Sequence, residues 1–300
     1  MSTLSASRVT LRTNLADYPN TRAIREGRVS SDLVYLDTSA APKSAHDGFK
    51  PMVRDNAFDA GELALVTYLQ ARVHGKPYVL LPVPIVGRLQ HHCIGFNRDF
   101  GHMNPKDIEG RKVGVRTYAQ TTGLWVRGIL QHEYGVDMDK VHWMTIDEGH
   151  LAEYDDPGNC ERLPKGSSLA QLMLDGELSA AIMGMEMPSD PRIATLIPEP
   201  LAAAEQWSAR EGLIPLNHLF VVPETLSRER PDVVREIFRL LAESRSQASA
   251  EALKTLPPIG LEPNRKGIAL AIDWAYEQKI IPRRLTVDEL FDDTTASLTL

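Results

Sequence analysis

The sequence predicts an α/β protein built on parallel, helix-covered sheet, and three observations carry that expectation. Strand-like and helix-like segments alternate along most of the chain. The run YVLLPVPIV at 78–86 is almost unbroken in apolar residues, as a strand covered on both faces must be. Finally, 300 residues with 43% hydrophobic and 24% charged side chains suit a water-soluble chain of one large domain or two lobes, not a collagen-like, disordered or disulfide-scaffold protein.

Taken in order, residues 9–13 are β-branched and alternating, and 14–20 carry Asn, Asp and Pro, so a short strand is expected to end in a loop able to hold ligand. A second strand is expected at 32–37, a helix at 61–73 from its leucine and valine spacing, and a strand at 78–86 whose prolines end it in a bend. After 94–97, residues 112–115 read as a strand, 116–120 as a loop and 121–134 as a helix that Thr121 or Thr122 can cap. The unpaired N–H groups of that helix would offer an anion site at the strand's carboxyl end. Strands follow at 141–145 and 179–183, with a helix at 168–175 stopped by Gly176. Residues 155–168 are the most loop-like interior stretch. A strand at 218–222 precedes a mostly helical C-terminal quarter, with helices at 232–245, 267–279 and 286–291.

Charge and cysteine usage exclude several classes. The net charge is −7, with no arginine-rich run, which disfavours nucleic acid as a partner. Cys93 and Cys160 lie far apart and form no C-x-x-C pair, so neither a zinc ribbon nor a redox motif is encoded. Polar and charged residues interrupt the first twenty positions, no apolar run reaches membrane-spanning length, and a cytoplasmic protein without a membrane partner is expected. A homo-oligomer is compatible with the sequence.

The chain has no G-x-G-x-x-G, Walker loop, G-x-S-x-G elbow or H-E-x-x-H. Adjacent His91 and His92 would point to opposite faces of a strand, so they can share a metal only if the backbone bends. What remains is a set of arginines at loops and strand ends: Arg22, Arg88, Arg127 and Arg265. A guanidinium fork matches a carboxylate, and several converging would suit a dianion; surface salt bridges are the competing role for each.

The segments DYPNTRAI, FDAGELALVTYL, LPVPIVGRLQHH, VGVRTYAQTTGLWVRGILQHEYGV, IPLNHLFVV, PNR and EQKIIPRRLTVDELF occur in an order that resembles the 4,5-dihydroxyphthalate decarboxylase family from about Asp17 to Phe291, and the rare Trp125 is included. The resemblance implies a two-lobed type II periplasmic-binding-protein-like α/β fold with the ligand cleft between lobes. It puts residues 1–93 with 221–300 in one lobe and 94–220 in the other. The family pattern after the LPV strand is close to R-x-F-R-H. Here Arg88 and His92 are kept, but Gln90 and His91 replace the aromatic and the second arginine. A permanent cation has become a shorter titratable group, which makes a related compound a candidate substrate.

The resemblance implies decarboxylation of a hydroxylated phthalate or a related aromatic carboxylate by ring protonation. A phenolic hydroxyl para to the carboxyl-bearing carbon can feed electrons to the ring, a histidine can supply the proton, and no organic cofactor is then needed, with a divalent metal left open. His92 and His218 are the first candidates for the acid and His91 the third; Glu62 and Asp59 are candidates to accept phenolic protons, with helix capping as the other role for Asp59. Substrate contacts are expected from Arg22, Arg88, Arg127, Asn264 and Arg265, from Thr121 and Thr122 at the helix start, and from Tyr118, with Trp125 either on the ring or in the core. The alternative reading is a solute-binding or sensor protein for an aromatic carboxylate; the lack of an evident export signal and of a DNA-reading helix weighs against it.

Overall fold

A computed structural model describes residues 8–300. The chain begins β1 (Val9–Asn14), α1 (Arg22–Arg25), β2 (Val34–Asp37), α2 (His46–Asp55), β3 (Ala60–Ala64), α3 (Leu65–Val73) and β4 (Tyr78–Gly87). It continues through β5 (Ile94–Asn97), β6 (Lys112–Val115), α4 (Thr121–Tyr134), β7 (His142–Thr145), β8 (Cys160–Arg162), α5 (Leu169–Leu174), β9 (Ala180–Ile182), β10 (Ile193–Thr195) and α6 (Pro200–Glu211). It closes with β11 (Leu216–Pro223), α7 (Glu224–Glu229), α8 (Pro231–Ser246), α9 (Ala250–Leu253), α10 (Glu262–Glu277) and α11 (Asp293–Ala296).

Two compact units result. The first holds the described residues up to Arg88 with Leu216–Ala269 and Leu285–Leu300; the second holds Leu89–Pro215 and Leu270–Arg284. The expected divisions at 93/94 and 220/221 lie five residues beyond these crossings. The expectation also kept 270–284 in the first lobe, whereas the chain passes into the second unit within α10. One continuous helical pattern carries no mark of which body each half packs against.

The first unit is a five-stranded sheet in the order β2-β1-β3-β11-β4. β1 runs parallel to β2 and β3, but β11 is antiparallel to both β3 and β4, so the sheet is mixed and not parallel throughout. A parallel neighbour needs a crossover connection, whereas β11 enters straight from the unit crossing at Pro215. The apolar run of β4 is buried over its first eight residues, as a doubly covered strand requires. Its Pro82 and Pro84 donate no ladder hydrogen bond, and the register against β11 shifts between His218 and Phe220. Pro231 opens α8, which packs Val233, Val234, Ile237, Phe238, Leu240 and Leu241 into the core with Leu81 and Phe220 of the sheet. The helix expected over 61–73 is divided: Ala60–Ala64 is strand, fully buried, and helix begins at Leu65. The apolar stretch AGELALV fits both periods, and burial on both faces removes the alternation that would have told them apart.

The second unit is a six-stranded sheet in the order β10-β5-β9-β6-β7-β8, with β6 to β9 parallel and β5 antiparallel to both its neighbours. The three-residue strand β8 lies inside the stretch expected to be loop, and α2, α6 and β10 were not anticipated. At the C-terminus, 286–291 holds only a 3-10 turn at Asp288–Leu290. Helix α4 is buried from Thr121 to Leu130. Gly128 is its point of closest approach: a Cβ there would lie 1.9 Å from Trp274 Cε3. Gly128→Ala is therefore expected to destabilise by about 2 kcal/mol or more, because overpacking outweighs the roughly 1 kcal/mol gained in helix propensity. All four tryptophans, at 125, 143, 207 and 274, belong to this unit, so tryptophan fluorescence in a urea titration isolates its unfolding. A midpoint unchanged or raised would contradict the close packing. Among the described residues no helix is long and apolar enough to cross a membrane.

Candidate active site

In open α/β sheets ligands gather outside the carboxyl ends of the strands, where successive crossovers leave to opposite sides. The first unit has that switch point at β1: the chain moves from β1 to β2 on one side, then returns to β3 on the other. The two strands approach closely there. A Cβ on Gly61, whose φ is +148°, would lie 2.3 Å from the Asn14 carbonyl oxygen, so only glycine fits. Asn14 Nδ2 donates to the carbonyls of Ala45 and Glu62, which fixes the start of the loop after β1 against β3.

Glu62, on β3 and fully buried, takes the next place. Its Oε1 accepts the Ala16 N–H at 3.1 Å, and its Oε2 lies 3.5 Å from Nδ1 of His218 on β11. The His218 side chain keeps 20% of its surface exposed while Glu62 keeps none. Phe49 of α2 meets the imidazole edge to face at 5.0 Å between ring centres. Tyr18, in the loop after β1, faces the same carboxylate. Its hydroxyl is pushed well above the usual phenol range, by burial first and then by the charge of Glu62, while the positive charge of Arg88 pulls the other way. The sequence-predicted residues Glu62, His218 and Arg88 thus assemble around one switch point, joined by Tyr18. Tyr18 was not anticipated, although the DYPNTRAI motif contains it in the loop expected to hold ligand.

Four other first-unit candidates lie elsewhere. Asp59 precedes β3 instead of capping a helix, at the strand's amino end; Arg12 holds it by a 2.7 Å ion pair, and that guanidinium keeps its carboxyl below the usual range. Such a carboxylate is a poor proton acceptor. Arg22 is an exposed residue of α1 paired with Asp17 at 3.0 Å. Arg265 spends its fork on Glu262 at 2.9 Å and Asp288 at 2.8 Å. Asn264 donates to the carbonyls of Pro258 and Gly260 and so closes the turn before α10.

The second unit repeats the switch point at β6, whose crossovers lead to β7 on one side and, later, to β9 on the other. A cavity of about 350 Å³ opens there, lined by Arg116 and Gln120 from the loop after β6, Ile146 after β7, Ile182 and Met183 at the end of β9, and residues 167–170 at the start of α5. Gln120, not Thr121 or Thr122, is the N-cap of α4, with no side-chain capping bond; both threonines are buried in the first helical turn. Arg116 and Gln120 were missed, though both lie in the strand-to-helix loop that the βα pattern marks.

Tyr118, Trp125 and Arg127 are packed into the core of the second unit. Arg127 is fully buried on α4; its Nε donates to Gln278 Oε1 at 2.8 Å and its Nη2 to the Tyr118 carbonyl at 2.6 Å. The guanidinium sits 3.8 Å from the Tyr118 ring centre and 5.3 Å from that of Trp143. Trp125 meets Trp274 edge to face at 5.5 Å. One sequence gives no sign that a single arginine on a helix is enclosed, since buried arginine is rare.

His91 and His92 fall in a 3-10 turn at His91–Cys93 and not in a strand. His92 Nε2 lies 3.7 Å from Cys93 Sγ. His91 is 2% exposed, packs against Trp207 at 5.9 Å, and titrates at about 4, pushed down by burial first and then by His92 and Arg210. It is neutral near pH 7, which suits neither an acid nor a substitute for a fixed cation. Because the unfolded chain binds this proton near 6.5, the stability due to neutral His91 is complete above that pH and is lost as pH falls toward 4. Between pH 7 and 5 the second unit is expected to lose on the order of 2 kcal/mol more than in His91→Gln, read from urea midpoints by tryptophan fluorescence. Equal pH dependence in the two proteins would contradict the burial of an uncharged ring.

No protein-family profile matches the chain. It is 27% identical over 261 residues to a 4,5-dihydroxyphthalate decarboxylase of Comamonas testosteroni, covering 81% of this chain and 76% of that protein. A 4,5-dihydroxyphthalate decarboxylase of Pseudomonas putida is 26% identical over 220 residues, covering 67% of this chain and 82% of the relative. Among solved structures the likeness is one of fold. The periplasmic aliphatic sulphonate binding protein SsuA from Escherichia coli superposes with a TM-score of 0.62 at 11% identity, over 96% of this chain and 93% of that one. The desulfurization enzyme DSZB does so with 0.54 at 12%, over 96% and 98%. Binding proteins and an enzyme share the architecture, so it favours neither role. Over most of its length the chain is thus similar in sequence to the 4,5-dihydroxyphthalate decarboxylases, on the two-lobed α/β fold of the periplasmic-binding-protein-like structures.

Proposed function

We propose that this protein decarboxylates a hydroxylated phthalate or a closely related aromatic carboxylic acid, with His218 as the proton donor to the ring. The observation that carries the reading is the pairing of His218 with the buried Glu62 at the switch point of the first unit. The buried carboxylate lies 3.5 Å from Nδ1, on one side of the imidazole, and leaves Nε2 to exchange a proton with substrate. The 26–27% identity to two proteins named for this reaction supports the same chemistry.

The reaction balances with these groups. The phenolic oxygen para to the carboxyl-bearing carbon gives up its proton to a base or to solvent, and its electron pair moves into the ring. His218 transfers a proton to the carboxyl-bearing carbon, which becomes tetrahedral. The bond to the carboxylate then breaks, CO₂ leaves, and the bonding pair restores the aromatic ring while the phenolate regains a proton. Substrate and one proton become CO₂ and the hydroxylated arene. Arg88, at the end of β4 beside Tyr18, supplies positive charge to the anionic substrate, and the Tyr18 hydroxyl keeps its proton at neutral pH and can donate a hydrogen bond. A neutral His91 in place of the family's second arginine supports a substrate class wider than 4,5-dihydroxyphthalate alone.

The test is incubation of the purified protein with a panel of hydroxylated and unsubstituted phthalates while CO₂ release and ring absorbance are followed. Release is expected from substrates with a hydroxyl para to a carboxyl group and from none without it. Tight binding with no CO₂ from any of them would favour a solute-binding or sensor role.

A further inference from the structure

A proton donor must present its ring in one setting, and the polar contacts of His218 do not provide that. Among the described residues neither His218 Nδ1 nor Glu62 Oε2 has a hydrogen-bond partner, although the two atoms lie 3.5 Å apart. Such a separation exceeds the roughly 2.7–3.2 Å of an N–H···O bond and leaves the ring free to turn. The χ2 torsion of histidine is itself broad and roughly two-fold, so the plane of the imidazole has to come from packing. Phe49 provides it. The two rings stand edge to face, 5.0 Å between centres and 89° between planes. Phe49 is 1% exposed, and its helix has no room to shift: a Cβ on the preceding Gly48 would lie 2.3 Å from Asn14 Oδ1. Asn14 Nδ2 donates at 3.1 Å to the Ala45 carbonyl at the start of α2 and at 3.3 Å to the Glu62 carbonyl in β3. One buried asparagine therefore ties the helix that carries Phe49 to the strand that carries Glu62, and β11 sets His218 opposite Ala64 of that same strand. All four elements belong to the first unit. The imidazole is bounded by a carboxylate and by a phenyl ring, each fixed to the sheet, and 20% of its side chain stays open.

We propose that Phe49 is a positioning residue, whose ring holds the His218 imidazole in the plane from which Nε2 meets the substrate. The inference rests on the reading of His218 as the proton donor and adds what orients it. The experiment joins two measurements on the full-length protein: the NMR order parameter of the His218 ring, in protein carrying ¹³C-labelled histidine and with the signal assigned by its loss in His218→Gln, and single-turnover CO₂ release with substrate affinity. The wild-type ring is expected to be as ordered as rigid backbone, above about 0.8, and to fall below about 0.6 in Phe49→Leu. The rate should drop by about 10- to 100-fold, the scale of a reacting group misplaced by an ångström, with affinity changed no more than about threefold. Phe49→Met nearly preserves side-chain volume but loses the flat face; it should act in the same direction, and it decides the matter where Phe49→Leu is unstable. Val53→Ala loosens the core face of the same helix and should leave ring order and rate within about twofold of wild type, as expected of a site that does not touch the imidazole. A mobile His218 ring in the wild type, a rate lost in step with affinity, or an equal loss in Val53→Ala overturns the assignment. CO₂ release by the wild type alongside unchanged ring order in both Phe49 variants overturns the role of Phe49 alone. A ring ordered in the wild type and loosened in those variants, in a protein that releases no CO₂, overturns the decarboxylase reading and leaves the hold of Phe49 on His218 standing.

Discussion

His218→Gln is expected to slow single-turnover CO₂ release by about 10²- to 10⁴-fold while substrate affinity changes no more than a few-fold, the range general acid catalysis supplies. The amide matches the imidazole in hydrogen bonding but cannot deliver a proton, so the loss falls on the transition state and not on the bound ground state. His92→Gln is the control. It lies in the 3-10 turn beside Cys93, in the other unit, and its variant should keep most of the rate if the Glu62 pairing is what makes a histidine the acid. A further readout separates a proton donor from a structural residue. Glu62→Gln removes the carboxylate that faces His218 but keeps the side-chain oxygen that accepts from Ala16, so the rate should fall by about tenfold or more while the fold and substrate affinity persist. Comparable rates in His218→Gln and wild type would remove His218 from the mechanism. Loss of affinity in step with rate would make it a binding residue.

Alternating βα segments, the doubly buried β4 and the Pro-initiated α8 are each written in local pattern, and Glu62 and His218 were named from motifs that the fold brings 3.5 Å apart. Strand direction was not legible, since LNHLFVVP reads the same whether β11 runs parallel or antiparallel to its neighbours. Nor was exposure. Five arginines look alike in one sequence, yet Arg22 and Arg265 serve surface ion pairs, Arg127 is enclosed, Arg88 stands beside Tyr18, and Arg116 lines a cavity. What separates them is long-range: which strand leaves to which side of β1 or β6, and hence which loop lies at a switch point.

Arg127 shows how large that difference is. Its side chain reaches two acceptors, Gln278 Oε1 and the Tyr118 carbonyl, inside a cage formed with the Tyr118 and Trp143 rings. Gln278 in turn donates from its amide to the Leu124 carbonyl at 3.0 Å, so the network ties α4 to the segment just after α10. Arg127→Leu leaves both acceptors without their donors in a water-poor core. It is expected to destabilise the second unit by about 3 to 5 kcal/mol, the scale seen when one member of a buried charged network is removed. Arg127→Lys keeps a charge but loses the planar fork and the stacking on Tyr118, and is expected to be intermediate. Both effects appear in the tryptophan-fluorescence urea midpoint, because Trp143 and Trp125 border the network's helix and sheet. Phthalate affinity of the folded fraction should stay within about twofold of wild type, the spread expected of a substitution that touches no ligand. A stable Arg127→Lys protein with affinity lowered tenfold or more would reverse the assignment and return Arg127 to the binding site.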